Sequence, residues 1–266
     1  MSRPASAPSR LSLLKGEAAY RTRYLVNAYP VVYLPFARMR HRDNPDCPVS
    51  RGTELVLEAF GRAGSTYALY GFRLAQPRDV RVAHHQHASA QVITAVRWGL
   101  PTIVIVRPPV DSALSHMARH RVPARAALQA WVRFHQRILP YRDGFVVTSF
   151  AEMTRDFGAV IARANERFGT SFAVWESSPE NEQRIFDAIN QRNVDRFGTG
   201  ESVAKSQALA RPTAAREALK ERMRAEVKSP GLAALRARAE GLYTALVGSI
   251  PEAGDESRPT LGSTIT

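Results

Sequence analysis

One cysteine, Cys47, in 266 residues excludes an intramolecular disulfide framework. No Cys/His spacing fits a structural zinc site either. A reducing, cytoplasmic setting is the simplest expectation. Long apolar runs are also missing. The opening MSRPASAPSRLS is polar and rich in Pro and Ser, without the apolar centre of a secretory signal. The most apolar segment, YLVNAYPVVYLPF at residues 24–36, is too short to span a bilayer and is interrupted by Pro30 and Pro35. It is expected to pack on the domain or, at most, to make a peripheral membrane contact. Acidic side chains are scarce: 24 Asp and Glu stand against 37 Lys and Arg, a net charge of +13. The arginines are scattered, in HRDNP, RARAE and REALKERMR alike, and form no single block. The excess therefore favours an anionic ligand or surface. It does not point to specific nucleic-acid binding, because no zinc finger, RNP-like stretch or basic zipper accompanies it. No internal repeat at a solenoid-like period is present.

What remains suits a single globular unit. A hydrophobic content of 44% is ample for a core. The low hydrophobicity of residues 1–12 and 251–266 marks both as disordered ends, so one domain is expected over residues 13–250. Short apolar runs alternate with helical patterns across its first part. Residues 53–60, 80–84, 102–106 (TIVIV) and 144–149 (GFVVTS) read as strands. TIVIV is an uninterrupted β-branched run of the sort buried in parallel sheets. Helical patterns cover residues 65–74, 89–98, 124–139 and 154–167, and another helix starts near Asp111 or Ser112 as its cap. Strand and helix in alternation predict an α/β fold with a central parallel β-sheet flanked by helices. After residue 172 the β signal ends, and residues 179–190 and 213–246 read as a charged, helical C-terminal region.

Three stretches could carry chemistry. In ELVLEAFGRAGSTY (residues 54–67), a strand runs into a glycine-bearing turn and a helix start, where backbone N–H groups and the helix dipole favour an oxyanion. Arg62 adds a fixed charge and a bidentate donor set, yet the lysine of a P-loop NTPase before the Ser/Thr is absent. In RPPVDSALS, Arg107 leaves the strongest strand at its C-terminal end, where open α/β sheets bind ligands, and Ser115 follows inside the next helix. In AHHQHAS, His84, His85 and His87 lie within four residues. Extended backbone would put His85 and His87 on one face and His84 on the other, a poor metal geometry, so no metal is expected. One of the three aimed at the cradle would suffice as a general base.

In order and spacing these stretches resemble the sulfotransferases that use 3′-phosphoadenosine 5′-phosphosulfate (PAPS), whose fold is P-loop NTPase-like. FGRAGSTY is similar to their 5′-phosphosulfate loop, with Phe60, Arg62, Gly64, Ser65, Thr66 and Tyr67 in corresponding places and Gly61 where proline is usual. RPPVDSALS is similar to their 3′-phosphate motif, an arginine ending a strand and a serine eight residues on. SFAEMTRDFG resembles a later strand and helix, with Phe150 in the place of a tyrosine that often lines the adenine. The similarity covers about residues 50–172, the nucleotide-binding core, leaving 173–250 as the helical part. The late Arg-Lys-Gly motif of many members is absent, and Arg211 or Arg216 in ARPTAARE is its nearest substitute.

The resemblance implies transfer of a sulfuryl group from PAPS to a hydroxyl or amine of a small-molecule, glycan or lipid-linked acceptor, with no metal. It places Arg62, Ala63, Gly64, Ser65, Thr66 and Tyr67 around the 5′-phosphosulfate. Arg107 and Ser115, with Arg211, would hold the 3′-phosphate, and Phe150 would meet the base. His85 is the expected catalytic base and His87 the second choice, with Arg62 helping to carry charge in the reaction. Two alternatives are a kinase or NTPase, and a non-catalytic nucleotide- or glycan-binding protein on the same fold. The first is disfavoured by Arg107 standing where a Walker-B carboxylate would follow TIVIV.

Overall fold

The computed structural model describes residues 10–44, 46–198 and 214–248. Two helices come first, α1 (Arg10–Val26) and α2 (Pro30–Arg40). Strands and helices then alternate: β1 (Leu55–Ala59), α3 (Ser65–Ala75), β2 (Val82–His84), α4 (Ser89–Arg97), β3 (Thr102–Val106), α5 (Pro109–His120), α6 (Ala124–Ile138) and β4 (Val146–Ser149). Helices α7 (Phe150–Arg155), α8 (Phe157–Phe168), α9 (Pro179–Phe197), α10 (Ala214–Lys228) and α11 (Ala233–Val247) complete it.

The four strands are parallel in the order β2-β1-β3-β4, so the expected α/β architecture is present. Every residue of every strand is buried, which requires cover on both faces. Alternation supplies it. Leu55, Leu57, Ile103 and Ile105 pack with Leu69 and Phe72 of α3, Phe157 and Ile161 of α8, and Ile185 of α9. Val104, Val106 and Val147 turn the other way, into a cluster with Val92 of α4, Leu114 of α5, Trp131 and Phe134 of α6, and Leu246 of α11.

Several boundaries differ from the sequence reading. Helix α5 starts at Pro109 with Pro108 as its N-cap, not at Asp111 or Ser112. Proline is pre-set for the first helical turn, and its missing N–H costs nothing there. The helix expected over 154–167 is two helices, because Asp156 leaves helical geometry and caps α8 by accepting from the Ala159 N–H at 2.9 Å. Helices α1 and α2 were not expected at all, and α1 begins at Arg10, inside the stretch read as a disordered end. The tail at 251–266 lies outside the described residues. No described helix is long and apolar enough to cross a membrane.

Candidate functional site

The register pairs Leu57 with His84, Ala59 with Ile105 and Val106 with Ser149, so the four strands end along one edge. Each singled-out stretch leaves a strand at that edge: 60–64 after β1, 85–88 after β2, Arg107 after β3 and Phe150 after β4. From β1 the chain crosses to β2 on one side and then returns to β3 on the other. The crevice between β1 and β3 is therefore the topological switch point, where open sheets of this kind bind ligands.

Local backbone shapes the cradle. Arg62 has φ 69° and Gly64 φ 82°, both left-handed. A Cβ on Gly64 would come within 2.7 Å of the Met153 Cε and 2.9 Å of the Phe150 ring, so the position needs glycine for both conformation and space. Gly64 is also the N-cap of α3 and provides no side-chain cap, which leaves first-turn N–H groups available to a ligand. Ala63 and Ser65 are buried. Gly61, where proline was the usual residue, sits against His116. The imidazole Nε2–H donates to the Gly61 carbonyl at 2.8 Å, and a Cβ on Gly61 would lie 3.0 Å from that nitrogen. The Tyr20 hydroxyl then donates to His116 Nδ1 at 2.9 Å.

The two stretches expected to bind anions meet here. Arg107 Nη1 donates to the Arg62 carbonyl at 2.9 Å, and Arg62 Nε donates to Ser115 Oγ at 3.3 Å. The Arg107 guanidinium lies over the Phe150 ring, 4.6 Å from its centre, and the Arg107 carbonyl accepts from Trp131 Nε1 at 3.2 Å. Arg62, Gly64, Arg107, Ser115 and Phe150 thus form one cluster. Tyr67 does not join it: its ring faces Phe186 of α9, 6.1 Å away. Arg211 lies outside the described residues.

The histidines are placed by the loop rather than by the strand. β2 ends at His84, and His85 and His87 have φ 56° and 52°, so the face-sharing expected for extended backbone does not apply. Three of the four described non-glycine residues with left-handed φ are Arg62, His85 and His87, and backbone strain of this kind gathers at functional sites. Partners order the tautomers. Arg73 Nη2 stands 3.5 Å from His84 Nε2, which makes that nitrogen the acceptor. The His84 Nδ1–H then donates to His85 Nδ1 at 2.8 Å, and the His85 Nε2–H donates to Thr66 Oγ1 at 2.8 Å. Thr66 keeps its own hydrogen for another acceptor. The His87 Nδ1–H donates to the Ala59 carbonyl at 2.9 Å, so its Nε2 carries a lone pair. Burial pushes all three below the ordinary histidine range, His84 to about 3 and His87 to about 4, with neighbouring cations acting in the same direction. All are neutral at pH 7.

Glu58 was missed, although a carboxylate inside ELVLEAF was a visible signal. Its side chain is fully buried. Oε1 accepts from the backbone N–H groups of Ala59 and His87, each at 3.0 Å, and Oε2 accepts from Gln91 Nε2 at 3.1 Å. Burial pushes its pKa up to about 8 against those donors. Glu58 therefore ties the histidine loop to the end of β1.

No family model and no curated protein matches the chain. Among solved structures, mouse sulfotransferase SULT7A1 complexed with PAP aligns over 74% of this chain and 91% of that one, at 13% identity and a TM-score of 0.39.

Proposed function

We propose that the chain is a sulfotransferase that takes its sulfuryl group from PAPS. The observation that carries this reading is the convergence of two stretches about fifty residues apart in sequence on the β1/β3 crevice, linked by the Arg107 to Arg62 and Arg62 to Ser115 hydrogen bonds. A donor with one phosphate near the 5′ end and another at 3′ calls for two such cation and hydroxyl sets. A triphosphate with magnesium would call for a carboxylate after β3, where Arg107 stands.

The residues fit the donor. Arg62, the uncapped start of α3 and the hydrogen of the Thr66 hydroxyl would hold the 5′-phosphosulfate. Arg107 and Ser115 would hold the 3′-phosphate, and Phe150, already against Arg107, would offer a ring to the base. Bound PAPS supplies an activated sulfuryl group, open to displacement by a hydroxyl or amine. The chain's part is positioning, charge stabilisation and acceptance of one proton. The hydrogen bonds favour His87 Nε2 for the proton and give His85 the task of orienting Thr66, the reverse of the order expected from resemblance. The acceptor is a small molecule, a glycan or a lipid-linked group.

Thermal unfolding with adenosine 3′,5′-bisphosphate, AMP or ATP with magnesium tests the reading. The bisphosphate should raise the midpoint most, by the equivalent of about 2.7 kcal/mol at a hundredfold excess over Kd. Arg107→Ala should reduce its effect to that of AMP. Equal shifts for bisphosphate and AMP in the unaltered chain would remove the 3′-phosphate roles, and a larger shift with ATP would favour a kinase or NTPase.

A further inference from the structure

The strongest feature outside the site is the outer face of the α1–α2 hairpin. Eight of the nine large hydrophobic side chains exposed among the described residues fall between Leu11 and Met39. Singly scattered apolar residues would need no explanation, but a concentration does. On α2 the buried residues are Tyr33, Leu34 and Ala37. The opposite face carries Val31, Val32, Pro35, Phe36 and Met39, four-residue steps that form one continuous stripe. Exposure reaches 87% at Val31 and 57% at Val32 and Met39. Leu25 and Tyr29 extend the stripe around the corner between the helices.

This face cannot turn inward, because the other side of the hairpin is fastened to the sheet. The Tyr33 hydroxyl donates to Gln86 Oε1 at 2.5 Å, the Ala90 N–H to the Asn27 carbonyl at 3.0 Å, and the Tyr24 ring packs at a tilt against Phe60 with centres 5.1 Å apart. The stripe is a fixed feature of the surface.

Charge identifies what covers it. Residues 10–42 hold seven Arg and Lys and one acid, Glu17, and Glu17 is already held by Arg21. Arg38 and Arg40 flank the stripe, exposed on α2 itself, and Arg137 lies 4.9 Å over the Tyr29 ring. A second copy of the chain would bring the same surplus of cations against itself. A folded protein partner is expected to meet aromatic anchors in pockets and a rim of both signs, whereas this stripe is mostly aliphatic, with Phe36 and Tyr29 as its aromatics, and the charges on α2 beside it are the cations Arg38 and Arg40. An interfacial helix has that composition: apolar side chains enter the acyl boundary, arginines meet anionic headgroups and a tyrosine lies at the edge.

We propose that the outer face of the α1–α2 hairpin docks the protein onto an anionic lipid bilayer surface, with Val31, Val32, Phe36 and Met39 inserted and Arg38 and Arg40 on the headgroups. The proposal does not depend on sulfuryl transfer. Docking would set the histidine loop, held by the inner face of the hairpin through Tyr33 and Asn27, close to the membrane plane.

Flotation of the full chain with vesicles tests it, using phosphatidylcholine alone and phosphatidylcholine with about one-third phosphatidylglycerol. Binding to the second and not the first, reduced by salt, is the expected result. Val31→Asp with Phe36→Asp should weaken binding by at least about tenfold, and Arg38→Glu with Arg40→Glu should abolish the preference for the anionic lipid. Each variant should unfold at nearly the parent temperature, since the altered side chains are exposed. Phe36→Trp should emit further to the blue on adding anionic vesicles. The proposal is overturned if neither vesicle binds, if the double Asp variant binds as well as the parent, or if the chain is a dimer that Val31→Asp dissociates. Emission from Phe36→Trp that is already blue without vesicles would place another segment of the chain on the stripe and overturn it equally.

Discussion

At the scale of single residues, the site separates two histidines by what their second nitrogen does. His85 spends both ring nitrogens, on His84 and on Thr66. His87 spends one on the Ala59 carbonyl and presents the other as a lone pair. A base needs a free lone pair, and one positioned base contributes about 10²–10⁴-fold. His87→Ala should therefore lower turnover by that factor with little change in affinity for the bisphosphate. His85→Ala should weaken bisphosphate binding, because Thr66 loses the donor that fixes its hydroxyl. Steady-state kinetics with a titration of the bisphosphate separates the two, and a His87→Ala enzyme with full turnover would return the base to His85. The identity of the histidine cluster was legible in the sequence. Its internal division of labour was not, because it follows from left-handed φ at His85 and His87 and from the approach of Arg73, which sequence spacing does not encode.

At the scale of elements, the sheet was readable because its strands are buried on both faces and so appear as β-branched runs set off by glycine and proline. TIVIV is the plainest case. The α1–α2 hairpin was not readable for the opposite reason: α2 is apolar on its exposed face as well as its buried one, and Pro30 and Pro35 look like breaks. Pro30 is the first residue of the helix, and Pro35 sits inside it on the exposed side. The α7/α8 division was hidden too, since it rests on one backbone turn at Asp156 and on how α8 docks. That docking is tight: a Cβ on Gly158 would come within 2.2 Å of the Trp175 carbonyl oxygen. Gly158→Ala must push α8 away from the chain leading to α9, and overpacking of this kind costs about 1–3 kcal/mol. Denaturant unfolding should register a lower midpoint at an unchanged slope, while Gly169→Ala, with no atom within 4 Å of the new Cβ, should show only the cost of its left-handed φ, about 1–2 kcal/mol.

For the molecule as a whole, pH sets stability through groups that burial has displaced in opposite senses. All seven histidines titrate below their ordinary value, with burial as the first cause in each. His84, His116 and His135 are buried outright, so they stay neutral in the folded chain while the unfolded chain protonates near pH 6.5. Their contribution is complete above that value and is lost as pH falls toward their folded pKa values, about 3 for His84 and His135. Each such proton costs about 1.4 kcal/mol per pH unit. Glu58 works the other way. Raised from 4.5 to about 8, it stabilises fully below pH 4.5 and loses that contribution as pH rises through 8. Between pH 4.5 and 6.5 at least these three histidine protons, with those of His85 and His87 adding to them, oppose one from Glu58, leaving a net loss on acidification of at least about 3 kcal/mol per unit. Against a total of about 5–15 kcal/mol, that brings the chain to its unfolding midpoint a few units below neutrality. Above pH 6.5 the histidines no longer change, and Glu58 alone makes stability decline. Denaturant midpoints measured from pH 4.5 to 8.5 should therefore peak near pH 6.5, and Glu58→Gln should remove the alkaline decline while leaving the acid limb in place. A profile flat on the acid side would mean that water reaches these three histidines in the folded protein.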